Sequence, residues 1–328
     1  MSLARALLLP FGVAYGAAGA LRAALYRGGL LVPTRLDAPV ISIGNLSVGG
    51  SGKTPFVAWL ATRLRERGLP VAILSRGYGG SFAGECLIVS EGGGALASAD
   101  VAGDEPVLHA REQPGVVVAV GPRRDVVGRK VLERFGRRVL LLDDGFQHLR
   151  LHRELDIVCL APGDARDWPM PAGRLREFSG ALARAQLRVA VVGSADPPVM
   201  EADFVARRRP LGWTLLDGSP SDPPRRALLV SGIARPERFA ADARALGSEV
   251  VGHRARPDHH RFDAAEIEAF AREARELGAD SLLTTAKDAV RWPRVATSVP
   301  TRVLQMALEV AGEVALMERV MSVAKRAA

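Results

Sequence analysis

Short runs of consecutive apolar residues alternate along most of this chain with stretches whose apolar residues recur every three or four positions. Residues 40–43, 71–75, 116–120, 139–142, 157–160 and 189–192 are such runs, with the length and β-branched content expected of strands buried on both faces. After the first of them, Val57, Leu60, Ala61 and Leu64 fall on one side of a helix expected over 55–68, with Gly68 as its stop. Strand, helix and strand in succession predict βαβ units and a mostly parallel sheet with helices on both faces, an α/β fold. Beyond two turn-rich segments, 194–198 and 219–224, the alternation resumes on a smaller scale. Strands are expected there at 227–230, 250–251, 282–285 and 302–304, and helices at 236–246, 264–277 and 310–324. Residues 204–215, between the turn-rich segments, read as a hairpin. The chain is thus expected to divide into an amino-terminal helix (1–29), a larger sheet domain (30–198), a hairpin linker (199–226) and a smaller α/β lobe (227–328).

The first strand runs directly into chemistry, because residues 40–54 read VISIGNLSVGGSGKT. A buried strand delivers a glycine-rich turn, and a helix begins behind it with its positive dipole end toward the turn. That is the construction of a phosphate-binding loop. Ser47, Val48, Gly49, Gly50, Ser51, Gly52, Lys53 and Thr54 are the candidate nucleotide-binding residues; Lys53 would reach the β- and γ-phosphates and the Thr54 hydroxyl would hold Mg²⁺. The strict pattern G-x-x-x-x-G-K-[ST] has glycine where this chain has Ser47. The expected fold is therefore P-loop NTPase-like, with ATP and Mg²⁺ as its cofactors.

Residues 139–144 form an apolar strand ending in Asp143 and Asp144, which would offer a hard-oxygen ligand to Mg²⁺ at the same sheet edge; a turn capped by either aspartate is the simpler alternative. Phe146, Gln147 and His148 are expected to point into the same crevice, with a plain surface histidine as the alternative for His148. Arg76, just past another strand end, could meet a transferring phosphoryl group or stand in a solvated loop. By themselves, Asp104 and Glu105 read as a helix-entry cap, and Asp258, His259 and His260 as a second helix-entry turn.

Composition and charge change this picture little. The formal charge is +8, yet all the basic residues except Lys53, Lys130, Lys287 and Lys325 are arginine, and none lie in a block interleaved with aromatics. Nucleic acid is therefore not an expected partner. Cys86 and Cys159 are far apart and read as small hydrophobes in a reducing compartment. The opening is more informative, since residues 6–21 are uncharged, rich in Leu, Gly and Ala, and bracketed by Arg5 and Arg22. A signal peptide would export an ATP-using loop to where ATP is absent, and a membrane span needs about 20 apolar residues without the break expected at Pro10. A helix lying in the membrane interface suits the length and charge, and a plain packing helix remains the alternative.

Taken together, SVGGSGKTP (47–55), LSRGYG (74–79), GDEP (103–106), LDDGFQH (142–148), PAGRLRE (171–177), SGIARPERF (231–239), DHHRF (258–262) and TTAKDAV (284–290) are an ordered series. It resembles the tetraacyldisaccharide 4′-kinase family of lipid A biosynthesis and runs through nearly the whole chain. The resemblance implies transfer of the γ-phosphate of ATP to the 4′-hydroxyl of a tetraacylated glucosamine disaccharide 1-phosphate, giving lipid IVA. It implies a protein held at the inner-membrane lipid surface on the cytoplasmic face, which selects the interfacial reading of residues 1–27. No obligate protein partner is inferred. Carried onto this sequence, the family's catalytic acid falls on Asp104 and its histidine on His259, as a dyad in which the carboxylate takes the hydroxyl proton and the histidine orients it. Asp143 and Asp144 match the family's Walker B-like acids, and Arg76 its basic residue near the phosphates. Ala286 stands where the family commonly has glutamate, Arg174 where an uncharged residue is common, and Phe178 where proline is common; Arg176 is a candidate contact for substrate phosphate. The rival function is a nucleotide-dependent switch or partitioning ATPase, which leaves the DHH and KDAV segments and the apolar start without an account. No N-K-x-D guanine signature occurs.

Overall fold

The computed structural model describes residues 3–326 except 194, 195, 197, 198 and 200, so most of the turn expected at 194–198 lies outside the described residues. Its strands are β1 (Val40–Gly44), β2 (Val71–Ser75), β3 (Leu87–Glu91), β4 (Val117–Val120), β5 (Val139–Asp143), β6 (Leu155–Leu160), β7 (Leu187–Val192), β8 (Phe204–Leu215), β9 (Pro220–Ser221), β10 (Arg226–Ser231), β11 (Glu249–Ala255), β12 (Ser281–Thr285) and β13 (Thr301–Ala311). They form one 13-stranded sheet in the order β11-β10-β12-β13-β8-β7-β6-β1-β5-β2-β4-β3, with β9 pairing β8. The α/β expectation holds. Alternate residues of one strand pack on opposite faces, as a doubly covered parallel sheet requires. Ile41, Ile73 and Leu141 meet Phe56, Leu60 and Leu64 of the helix Lys53–Glu66, whereas Val40, Ala72 and Leu140 meet Val127 and Val131 of the helix Arg124–Phe135.

The hairpin expected at 204–215 is instead the single strand β8. Its alternation of half-buried and exposed residues is that of a long strand shared between two neighbours, and Gly212 lets it bend where the register with β13 shifts. β3, an antiparallel edge strand, was not expected from the pattern. Strands β8 and β13 are the antiparallel seam between two parallel halves. Their register explains where a cleft can open. The larger half pairs with one end of the seam, Val189–Val192 with 204–207, and the smaller half with the other, 282–285 with 301–304. Between lie 208–212 of β8 and 305–308 of β13, about five residues or ~16 Å at ~3.3 Å each. The carboxyl ends of both sets of parallel strands face each other across that gap, where ligands of open α/β sheets bind.

The first helix, Leu3–Arg27, runs through Pro10 without the expected break. Proline there removes one hydrogen bond, to the Ala6 carbonyl, and packing on the following turns holds the helix together. That packing depends on small residues: a Cβ on Gly12 would come within 2.7 Å of the Pro169 carbonyl oxygen, and one on Gly16 within 2.6 Å of the Phe178 ring. Arg5 pairs with Asp167 of the same segment. Leu7, Phe11, Val13 and Leu21 stay exposed on the other side.

Candidate active site

Between the two halves lies a cleft of about 1330 Å³, larger than the ~300–1,000 Å³ of typical small-ligand pockets. The glycine-rich loop forms its floor. Gly52 caps the following helix with φ 82°, and a Cβ there would stand 2.4 Å from Val191, so only glycine fits. Val48, Gly49, Gly50, Ser51, Gly52, Lys53 and Thr54 line the cleft, and Ser47 lines a smaller hollow of about 200 Å³ on the loop's outer flank. Lys53 Nζ donates to Asn45 Oδ1 at 3.1 Å and lies 3.5 Å from Asp144 Oδ1. Arg176 donates to Asp144 Oδ2 at 2.6 Å. Burial pushes the Asp144 carboxyl up, but Lys53 and Arg176 outweigh it and hold the group below the usual carboxylate range.

Asp143 ends β5 beside this loop, and Asp144 follows it in the turn. Asp143 is 1% exposed, and its Oδ2 lies 2.9 Å from Nε2 of the equally buried His109. Oδ1 of Asp143 and Oγ of Ser51 are buried without a partner among the described residues. Glu105 lines the cleft close by, its carboxyl raised by burial and then by the Asp143 charge. No three His, Cys, Asp or Glu side chains converge as a ready-made metal cage among the described residues. That suits Mg²⁺, which takes one or two carboxylates and completes its shell with phosphate oxygens and water.

Across the cleft, three segments of the smaller half are tied to one peptide. Gly232 N–H donates to Asp288 Oδ1 at 3.1 Å, and the Gly232 carbonyl accepts from His259 N–H at 3.0 Å. Arg291 donates to the His259 carbonyl and pairs with Asp104. The expected dyad forms across the halves: Asp104 Oδ2 lies 2.8 Å from His259 Nδ1. The His259 ring is in the cleft wall, whereas Asp104, 3% exposed, stands behind it. Nδ1 of the ring faces both Asp104 and, at 3.1 Å, the Arg291 guanidinium, and Nε2 faces outward, 3.3 Å from Lys287 Nζ. Lys287 also holds Asp258 at 3.0 Å. Asp144 (φ 60°) and His259 (φ 64°) are the non-glycine residues with positive φ among those described, and they face each other's halves of the site. Backbone strain of this kind is kept where surrounding contacts over-determine it.

Arg76 and Tyr78 line the cleft, Arg76 being exposed. Of the FQH triplet, Gln147 reaches the cleft, while Phe146 is fully buried in the core. His148 is instead enclosed beside Arg124 and Asp125, and burial and then Arg124 push its pKa down to about 3. His109, Arg124, Asn45 and Arg291 were missed in the sequence. Only Asn45, next to the loop, had a positional signal; the other three are brought in by tertiary packing.

A family model described as tetraacyldisaccharide-1-P 4′-kinase matches residues 4–325. A tetraacyldisaccharide 4′-kinase of Anaeromyxobacter dehalogenans (strain 2CP-C) is 45% identical over 310 residues, covering 88% of this chain and 82% of the relative. One from Geobacter metallireducens is 42% identical over 318 residues, covering 92% of this chain and 94% of the relative. A crystal structure of LpxK from Aquifex aeolicus, described as the apo form in complex with ATP, superposes with a TM-score of 0.82 at 33% identity over 98% of this chain and 100% of that one. The chain belongs to the tetraacyldisaccharide 4′-kinase family.

Proposed function

We propose that this chain transfers the γ-phosphate of ATP to the 4′-hydroxyl of tetraacyldisaccharide 1-phosphate, forming lipid IVA. The observation that carries the reading is the meeting, in one cleft, of a phosphate-binding loop from the larger half with an Asp104–His259 pair assembled between the halves. A sugar hydroxyl is a poor nucleophile at neutral pH, and a base positioned across from a phosphoryl donor is what the reaction lacks in water. Asp104 and His259 act as one coupled unit that takes the hydroxyl proton, His259 presenting the pair to the cleft and Asp104 balancing the charge behind it. The loop backbone and Lys53 hold the phosphates of ATP, and Arg76 and Arg176 meet charge on the transferring group or the acceptor. Thr54, Asp143 and Asp144 would hold Mg²⁺, Asp143 and Ser51 having buried oxygens open to it or its waters. When bound, the ion neutralises charge on the phosphate oxygens.

The exposed Leu7, Phe11, Val13 and Leu21 face of the first helix rests on the membrane surface at the cytoplasmic side, while its glycine face stays docked on Pro169, Ala172 and Phe178. An acceptor with its acyl chains in lipid can then offer its headgroup to the cleft. Replacing Leu7, Phe11 and Leu21 with glutamine should move the protein from membrane to soluble fractions; unchanged partitioning would refute the surface anchor. For the reaction itself, purified protein is incubated with labelled ATP and the disaccharide 1-phosphate in detergent. Label in the lipid is expected, and its absence with ATP hydrolysis intact would sink the kinase reading.

A further inference from the structure

Among the half-buried arginines around the cleft, Arg235 stands apart. Arg208 donates to Asp242 at 2.8 Å, Arg238 to Asp196 at 2.6 Å and Arg174 to Asp167 at 3.1 Å. Arg235 has no hydrogen-bond or ion-pair partner among the described residues, although it is half-buried and lines both the main cleft and the hollow beside the loop. Burial, then Arg238 and Arg174, push its guanidinium below the ordinary arginine range, against a smaller pull from Asp196 and Glu237. No carboxylate among the described residues reaches ion-pair distance of it, so a cation in that position gains from an added anion.

Its placement says which anion. Arg235 precedes the helix Pro236–Ala245, whose positive end adds to the same field. The turn that carries it begins at Gly232, the peptide that also anchors His259 and Asp288. Ala234 abuts the phosphate-binding loop, since a Cβ on Gly50 would lie 3.9 Å from the Ala234 Cβ. Arg235 lines the main cleft together with the glycine-rich loop, and a guanidinium matches phosphate oxygens with two parallel hydrogen bonds.

We infer that Arg235 binds the polyphosphate of the bound nucleotide from the smaller half, closing the phosphate cage on its second side. Because the Gly232 turn holds both Arg235 and His259, a nucleotide gripped by Arg235 also steadies the segment that carries His259. The inference rests on the ATP-dependent reading above and deepens it.

The test titrates a fluorescent N-methylanthraniloyl ATP, and unlabelled ATP, ADP and AMP as competitors, against full-length protein in detergent without any lipid acceptor. Arg235→Ala should weaken ATP and ADP about 10- to 100-fold, the range of a lost charge-assisted hydrogen bond. AMP should change less than about threefold, and Arg235→Lys should recover part of the loss, because a point charge replaces the fork. Arg209→Ala, on the outer face of the seam, serves as the control and should bind like the wild type. ATP affinity within about twofold of wild type in Arg235→Ala, with AMP and ATP shifted equally in Arg235→Lys, would overturn the assignment. A nucleotide-affinity loss in Arg235→Ala stands even if the wild type leaves the lipid unlabelled, so this inference and the kinase reading fail separately.

Discussion

The phosphate-binding pocket and the Asp104–His259 pair share one cleft but are built in different ways. The pocket is local: β1, its loop, the helix behind it and the end of β5 all belong to the larger half, and Lys53, Asn45, Asp144 and Arg176 are already tied to one another there. The dyad is not local. Asp104 comes from the larger half, and His259 and Arg291 from the smaller, so the pair exists only while the halves touch. The proposed donor site can thus hold its shape without an acceptor, while the proposed proton-accepting pair needs both halves. Phosphoryl-transfer enzymes gain from such an order, because a base completed only on closure does not waste ATP on water.

The largest way to break this contrast is Asp104→Ala. It should lower turnover by about 10²–10⁴ while leaving ATP affinity within about threefold, since the donor pocket does not use the residue. Steady-state kinetics with a direct nucleotide titration measures both; wild-type turnover would remove Asp104 from the mechanism. The reciprocal change, Lys53→Ala, should cost about 10²–10³ in turnover and weaken ATP as well, because it strips the pocket of its phosphate-facing charge and unbalances Asp144. If ATP affinity survived that substitution, the pocket would not be the donor site.

His109 sharpens the contrast from the interior. His109→Leu leaves the Asp143 carboxylate buried without its partner, which costs about 1–3 kcal/mol of stability. The melting midpoint should fall by a few degrees, and His109→Gln, which keeps a donor, should recover most of it. Equal loss in both variants would mean that packing, and not the hydrogen bond, is what His109 contributes.

The same division explains what could be read from the chain before its structure. The pocket was legible because its physics is sequential: strand, glycines, lysine and helix follow in order, and an apolar run ending in two aspartates needs only a parallel neighbour. The dyad was not legible from Asp104 or His259 singly, each of which also makes a plain helix entry; the ordered family motifs linked them. Arg291 and His109 carried no signal, since their partners lie in other elements and neither periodicity nor spacing encodes that approach. The long strand β8 was misread as a hairpin because turn formers bracket it on both sides. Yet its register against β13, the feature that opens the cleft, is a property of pairing that no single segment displays.

The smallest test bears on the contact between the halves. Arg111, on the helix that begins with Asp104, donates to the carbonyls of Ala289 and Val290, each at 3.3 Å, next to the Arg291 that grips Asp104. Removing it loosens the halves without touching the pocket or the dyad. Arg111→Ala should therefore lower turnover by about 2- to 10-fold, the worth of one or two partly exposed hydrogen bonds. Saturating ATP should reduce that loss if Arg235 draws the halves together through the nucleotide. In an Arg111→Ala, Arg235→Ala double variant that rescue has no handle, so the combined loss in turnover should exceed the product of the two single losses. Losses that merely multiply would show that the two contacts act independently, and that closure is not the event that assembles the dyad.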